Sequence, residues 1–335
     1  KICKKIDTLY LATDPDREGE AISWHLFSDF SDKKLLKEIK VKRITFNEIT
    51  PSAIKQAVNS PREIDQDLVD AYLARRILDH LIGFKVSPLV WRHAPPAKSA
   101  GRVQSPSLRI ICERESERDK HQKEEYWPIS LKLNFEKFIF DADLIKIEDR
   151  DVKKEPLSSE NEVKDVSTEL KSTTFIVKTI ETKSQSSSPN PPFRTSTLQM
   201  TASSFLGFTA DRTMRSAQSL YEAGLITYLR TDGINISTSP NTGEPFSEEK
   251  PGPPPLEEIR NVIHQKYGKE FLSEKVRIYK SKVKNSQEAH EAIRPTNIQT
   301  FPENLNLGQD EQKLYSLIWN RTVSSQMSNA QYERK

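Results

Sequence analysis

Apolar positions come in short bursts separated by charged turns, and their period changes along the chain. Residues 8–13 form a β-prone run that empties into an acidic turn, and residues 20–27 continue at helical spacing. Strand, turn and helix in that order open an α/β unit. A second strand is predicted over 40–46, and Thr50-Pro51 then starts a helix, with Thr as cap and Pro at its first position. Leu68, Tyr72, Ile77 and Leu81 predict a helix over 65–82, closed by Gly83. Residues 126–140 and 175–180 read as strands of a separate, β-rich piece.

Two linkers interrupt this pattern. Residues 181–192 (ETKSQSSSPNPP) are polar and end in prolines, as a domain joint does, and 237–256 holds six prolines and two glycines in an irregular surface insertion. Between them, Ser196-x-x-Gln199 predicts a capping box opening a helix that Gly207 ends. Thr209 caps a second helix that stops at Gly224, and 225–229 (LITYL) follows as a short strand. Helix, turn, helix, strand is the outline of a winged-helix module, shared with many helical hairpins.

At 335 residues the chain is expected to hold two to four domains. No stretch approaches 18 apolar residues, which excludes a membrane-spanning helix. Two cysteines, Cys3 and Cys112, exclude a disulfide framework and suit a reducing compartment. The start at Lys1 has neither Met nor an apolar leader, so a piece of a longer chain is expected. Net charge is only +3, yet residues 75–111 hold seven basic side chains against one acid, Asp79. With Phe84 and Trp91 among them, such a segment suits a groove following a phosphate backbone; it also suits a solvated helix face over core aromatics.

Three clusters could carry chemistry. Asp14, Asp16 and Glu18 alternate after a strand, and on an extended turn their carboxylates converge, as hard ligands for Mg²⁺ do; an acidic helix start reads the same way. Tyr228 stands two residues before Arg230, with Thr231 and Asp232 beyond, and alternation puts phenol and guanidinium on one face. Read by itself, Tyr228 is a packing residue, as most tyrosines are. His290 and Arg294 are four apart in EAHEAIRP, as phosphate-directed donors or as a helix end stopped by Pro295. No GxxxxGK[ST], HExxH or GxSxG is present.

Seven stretches carry a resemblance: LATDPDREGEAISWHL (11–26), RITFNEIT (43–50), ARRILDHLIGF (74–84), SAGRVQSPSLR (99–109), PPFRTSTLQMTAS (191–203), SAQSLYEAGLITYLRTDG (216–233) and EAHEAIRPT (288–296). In this order and spacing the chain resembles the type IA DNA topoisomerases, the bacterial topoisomerase I branch most closely. The resemblance implies an α+β multidomain fold: a partial Toprim domain (1–61), a helical groove domain (62–122), part of a β-rich arch (123–190) and a winged-helix-like tyrosine domain (191–330). It implies Mg²⁺ at Asp14, Asp16 and Glu18, Tyr228 as nucleophile forming a 5′-phosphotyrosine, and Arg230 stabilising the transition state. Gln218, Glu222, Thr231 and Asp232 would support the site. Arg75, Arg76, Asp79, Trp91, Ser99, Ala100, Gly101, Arg102, Val103, Gln104 and His290 would contact DNA.

The expected activity is ATP-independent relaxation of negatively supercoiled DNA by a monomer in the bacterial cytoplasm, or in an organelle. A decatenating topoisomerase III is the neighbouring reading, against which Leu229 stands where that branch usually has Pro; a purely single-strand-binding module is the reading from another class. The sequence departs from the family pattern in four ways. A glutamate and lysine of the first Toprim strand would precede Lys1. The chain stops near Tyr332 without the C-terminal DNA-binding repeats. His80 and Phe84 replace Arg and Tyr, and the insertion at 237–256 is longer.

Overall fold

The computed structural model describes residues 6–237, 254–280 and 291–334. It divides into two compact units, one of Lys1–Ile77 with Lys183–Arg334 and one of Leu78–Thr182. The first unit opens with strand β1 (Thr8–Leu11), helix α1 (Arg17–Asp32) and strand β2 (Lys40–Arg43). The strands pair in parallel, Thr8 beside Lys40 and Leu11 beside Arg43, with α1 as the crossover. α1 starts where Asp16 accepts the Gly19 N–H at 2.7 Å, and Glu18 and Glu20 in its first turn favour the helix dipole. Thr50 caps α2 (Pro51–Asn59) through the Ala53 N–H, as expected. Asp65 accepts the Leu68 N–H at the start of α3 (Gln66–Leu81).

Gly83 does not close that helix. The chain passes through one π-helical turn, Ile82–Val86, into α4 (Ser87–His93). A Cβ at Gly83 would meet nothing within 4 Å and its φ is not left-handed, so no helix-ending conformation is imposed there. In the second unit follow α5 (Gln104–Lys120), a hairpin of β3 (Ser130–Phe135) and β4 (Phe138–Asp143), a small ladder of β5 (Lys146–Ile147) and β6 (Arg150–Asp151), and α6 (Glu160–Ser172). The expected strand at 175–180 is absent: Phe175, Ile176, Val177 and Ile180 are exposed and join no ladder among the described residues. A strand exists only where a neighbour takes its backbone groups.

Back in the first unit, the polar joint at 181–192 contains strand β7 (Lys183–Ser187), which the sequence reading treated as linker. It pairs antiparallel with residues 330–334, Lys183 beside Arg334. Helices α7 (Thr195–Leu206), α8 (Ala210–Glu222), α9 (Pro255–Lys266) and α10 (Gln309–Ser324) then precede β8 (Ala330–Arg334). α7 begins one residue before the predicted box: Arg194 is its cap residue, and its N–H donates to Thr197 Oγ1 rather than to Ser196. Gly207 and Gly224 both end their helices at positive φ, 67° and 70°. Phe193, Leu198, Leu220, Ile226, Leu229, Ile259, Ile263, Ile318 and Trp319 form the core of these helices. Most of the Pro-rich insertion lies outside the described residues; its end, Pro255-Leu256, is the first turn of α9, with Leu256 buried. Among the described residues no helix is long and apolar enough to cross a membrane.

Candidate active site

Residues 225–229 do not form the predicted strand, because their backbone is divided between two partners. Ile226 bridges Pro295 and Thr227 N–H donates to Arg294 O at 2.9 Å, whereas Tyr228 N–H donates to Asn47 O at 2.7 Å. Extended backbone held from both sides fixes Tyr228 against the amino-terminal α/β piece. Its ring packs edge-on to Tyr221, centroids 5.4 Å apart, and the residue is buried.

The phenol donates to Asp16 Oδ2 at 2.7 Å. Burial, and then that hydrogen bond to a carboxylate, push the Tyr228 pKa well above its ordinary value. Arg230 donates to Glu18 Oε2 at 2.7 Å and reaches within 3.8 Å of Asp16 Oδ2. Asp14 is raised by burial and by the Asp16 charge, with Arg230 and Arg43 opposing. The first unit therefore places a phenol, a carboxylate that accepts its hydrogen bond and a guanidinium around one point. That set can transfer a phosphoryl group to tyrosine.

The acidic turn is not the extended arrangement expected. Asp16 is the helix cap and Glu18 sits inside the first turn of α1, so alternation ends at Asp16. Asp16 Oδ1 takes the Gly19 N–H, its Oδ2 takes the phenol, and Glu18 is paired with Arg230. The oxygens are of the hard type Mg²⁺ prefers. Yet among the described residues no three Asp, Glu, His or Cys are grouped to hold a metal ion. As arranged, Asp14, Asp16 and Glu18 do not present a shared set of oxygens to Mg²⁺, because both Asp16 oxygens accept protein hydrogen bonds and Glu18 is ion-paired with Arg230.

Behind the turn lies a buried ion cluster. Glu20 accepts from Arg43 Nε at 3.0 Å, from both Arg62 Nη atoms at 2.8 Å and from the Asp65 N–H at 2.7 Å. These donors outweigh burial and hold the Glu20 carboxyl below its usual pKa. A second cluster centres on Arg294, fully enclosed at 1% exposure. It donates to Glu291 at 2.6 and 3.0 Å, to Pro295 O at 2.9 Å and to Glu48 at 3.4 Å. Sequence reasoning offered Arg294 as a phosphate-directed donor or as part of a helix end, and passed over Glu20, Arg43 and Glu48. All lie inside the motif stretches, which was the only signal available.

Among the supporting residues, Gln218 donates to Glu222 at 2.8 Å. Thr231 N–H donates to Thr195 Oγ1 at 2.9 Å, its hydroxyl donates to Glu291 O at 3.0 Å, and Asp232 is exposed beside it. The groove residues divide. Arg75 and Arg76 lie exposed on α3 in the first unit, Arg76 donating to the Tyr72 hydroxyl at 3.3 Å. In the second unit Arg102 grips Asp79 at 2.7 and 3.3 Å, and Trp91 Nε1 donates to the Lys98 carbonyl. Ala100 N–H donates to Ser87 Oγ at 3.0 Å, Gly101 N–H to Ser105 Oγ at 3.2 Å and Gln104 Nε2 to Ser99 Oγ at 2.9 Å, while Val103 is exposed. His290 lies outside the described residues.

Comparison with known proteins gives a concordant picture. A family model described as Toprim domain matches residues 1–49, and one described as DNA topoisomerase matches residues 63–335. DNA topoisomerase 1 of Rickettsia bellii is 49% identical over 341 residues, covering 98% of this chain and 41% of that protein. DNA topoisomerase 1 of Zymomonas mobilis is 44% identical, covering 99% of this chain and 26% of the relative. Full-length topoisomerase I from Thermotoga maritima superposes with a TM-score of 0.69 at 36% identity, over 99% of this chain and half of that one (50%). The chain thus spans less than half the length of the curated relatives cited.

Proposed function

Because this chain belongs to the DNA topoisomerase family, with a Toprim domain at its amino end, we propose that it cleaves and rejoins one strand of DNA through Tyr228, relaxing negative supercoils. The observation that carries the reading is the 2.7 Å hydrogen bond from the Tyr228 phenol to Asp16, with Arg230 alongside. Tyr228 Oη attacks the scissile phosphorus while its proton passes to Asp16. A phenol whose pKa lies above 10 is not ionised in advance, so proton transfer accompanies attack. Arg230 faces the charge that develops on the phosphoryl oxygens. The P–O3′ bond breaks, the 3′-oxygen takes up a proton, and the 5′-phosphate stays on Tyr228 as a phosphotyrosine.

One phosphate ester replaces another, so passage of the second strand and religation need no ATP. The exposed basic and aromatic residues of 75–111 would hold the single strand, with the protein acting as a monomer in the bacterial cytoplasm. No step here runs through Mg²⁺, which the carboxylates as arranged do not fit.

The test uses single-stranded oligonucleotides labelled at one end and denatured after incubation. A 5′-phosphotyrosine retains the 3′-labelled piece on the protein, and Tyr228→Phe removes it. Retention of the 5′-labelled piece would reverse the polarity, and binding without any adduct would leave only a single-strand-binding module.

A further inference from the structure

We infer that Arg43 is a positioning residue for the chemistry at Tyr228: its guanidinium is the template around which the acidic turn is built. The inference rests on the reading of Tyr228 as nucleophile.

β1 ends at Leu11, whose carbonyl still takes the Ile44 N–H, and the Thr13 and Asp14 carbonyls of the turn that follows lie beyond the ladder. Arg43, one strand away, satisfies them. Its Nη1 donates to Leu11 O at 3.0 Å, to Thr13 O at 2.7 Å and to Ile44 O at 2.7 Å, and its Nη2 donates to Asp14 O at 2.7 Å. Nε is turned the other way, onto Glu20. Every nitrogen of the fork is engaged, and the side chain is fully buried at 0% exposure. Apolar residues fill most such interior positions at no desolvation cost. A planar fork with five fixed donors is what an apolar residue cannot supply, and a lysine cannot reproduce its geometry.

The turn is also pressed from the opposite side. An added Cβ on Gly19 would come within 2.0 Å of the Asp14 carbonyl oxygen, and Thr13 Oγ1 donates to Gly19 O at 2.5 Å. The Asp14 carbonyl is therefore held between Arg43 and the α1 backbone, two residues before the carboxylate that takes the Tyr228 proton. Glu20 keeps the guanidinium in its plane and is anchored by the Asp65 N–H, with Arg62 as a further partner at the exposed side of the cluster. The position of Asp16 relative to the phenol is thus set from Arg43, which touches neither.

The test compares single-turnover cleavage of a saturating single-stranded oligonucleotide, affinity for the same oligonucleotide, and thermal unfolding. Arg43→Lys keeps the charge and loses the fork. Cleavage should fall on the order of 100-fold, the cost of about an ångström of misplacement, with affinity unchanged. Arg62→Met strips the same buried Glu20 of its bidentate partner but touches no carbonyl of the 11–14 turn, so it should lower the melting temperature while cleavage stays near wild type. Gly19→Ala displaces the Asp14 carbonyl without altering the ion cluster and should reproduce the cleavage defect, which keeps the test open should Arg43→Lys not fold. A cleavage loss in Arg43→Lys or Gly19→Ala no larger than that of Arg62→Met at the same loss of stability overturns the inference. Absence of any adduct from the wild-type chain would instead sink the nucleophile assignment, and this inference with it.

Discussion

The backbone N–H of Tyr228 donates to the carbonyl of Asn47 at 2.7 Å, joining the tyrosine segment to the loop after β2. The next residue of that loop, Glu48, meets Arg294, whose own carbonyl receives the Thr227 N–H. One buried arginine, through its guanidinium and its own carbonyl, therefore links the three segments that frame Tyr228. Arg294→Met would remove the buried cation that Glu48 and Glu291 share, and breaking a buried pair in this way costs about 3–5 kcal/mol. Urea unfolding is the measurement, and a loss under about 1 kcal/mol, as for an exposed pair, would contradict the arrangement.

Asp16 has two separable duties, and two substitutions divide them. Asparagine caps a helix as well as aspartate does, so Asp16→Asn should leave stability nearly intact while cleavage drops roughly 10²–10⁴-fold for want of a proton acceptor. Asp16→Ala should lose the same activity and about 1 kcal/mol of stability as well. Equal cleavage by wild type and Asp16→Asn would remove the carboxylate from the reaction.

Tyr228 should be silent in a spectrophotometric tyrosine titration. Its folded pKa lies above the unfolded value of about 10, raised first by burial and then by Asp16. Stability linked to it is therefore full below about pH 10 and is lost as the pH rises beyond. Wild type and Tyr228→Phe should develop the same tyrosinate absorbance until they unfold, with the Phe variant unfolding at higher pH. An absorbance difference before unfolding would show an accessible phenol.

Salt should weaken single-strand binding steeply, with a log–log slope of roughly 0.7 per phosphate neutralised. Arg92 is exposed, whereas Arg102 is already opposed by Asp79. Arg92→Ala should make the slope shallower by about one phosphate's share, and Arg102→Ala by less. Fluorescence anisotropy across a salt series decides it, and a larger effect from Arg102→Ala would mean that its charge is not offset by Asp79.

What could be read from the chain was what depends on near neighbours. The Thr50 and Thr209 caps, the two left-handed glycines and the β1–α1–β2 order all follow from residues a few positions apart. In the acidic turn only the extended geometry was overread: Asp16 accepts the Gly19 N–H as the cap of α1, the acidic helix start that the sequence allowed equally. Strands at 175–180 and 225–229 were overread, since apolar alternation says nothing about who pairs. Arg43, Glu20, Glu48 and Arg294 are the deeper miss. Charged side chains belong on the surface by default, and their burial is decided by partners as far as 246 residues away, the separation of Glu48 from Arg294.

The pairing of β7 with β8 gives residues 188–329 a single doorway. Lys183 faces Arg334 and Ser187 faces Ala330, so the chain enters and leaves this loop at the same end of the ladder. A pull on the chain from either side meets the two five-residue strands as the teeth of a zip, opening their bonds in succession instead of loading them all in shear. Tension passing through Lys183 and Arg334 therefore opens the ladder pair by pair, and the chain between the strands is loaded from this doorway only once the last pair, Ser187 and Ala330, has parted.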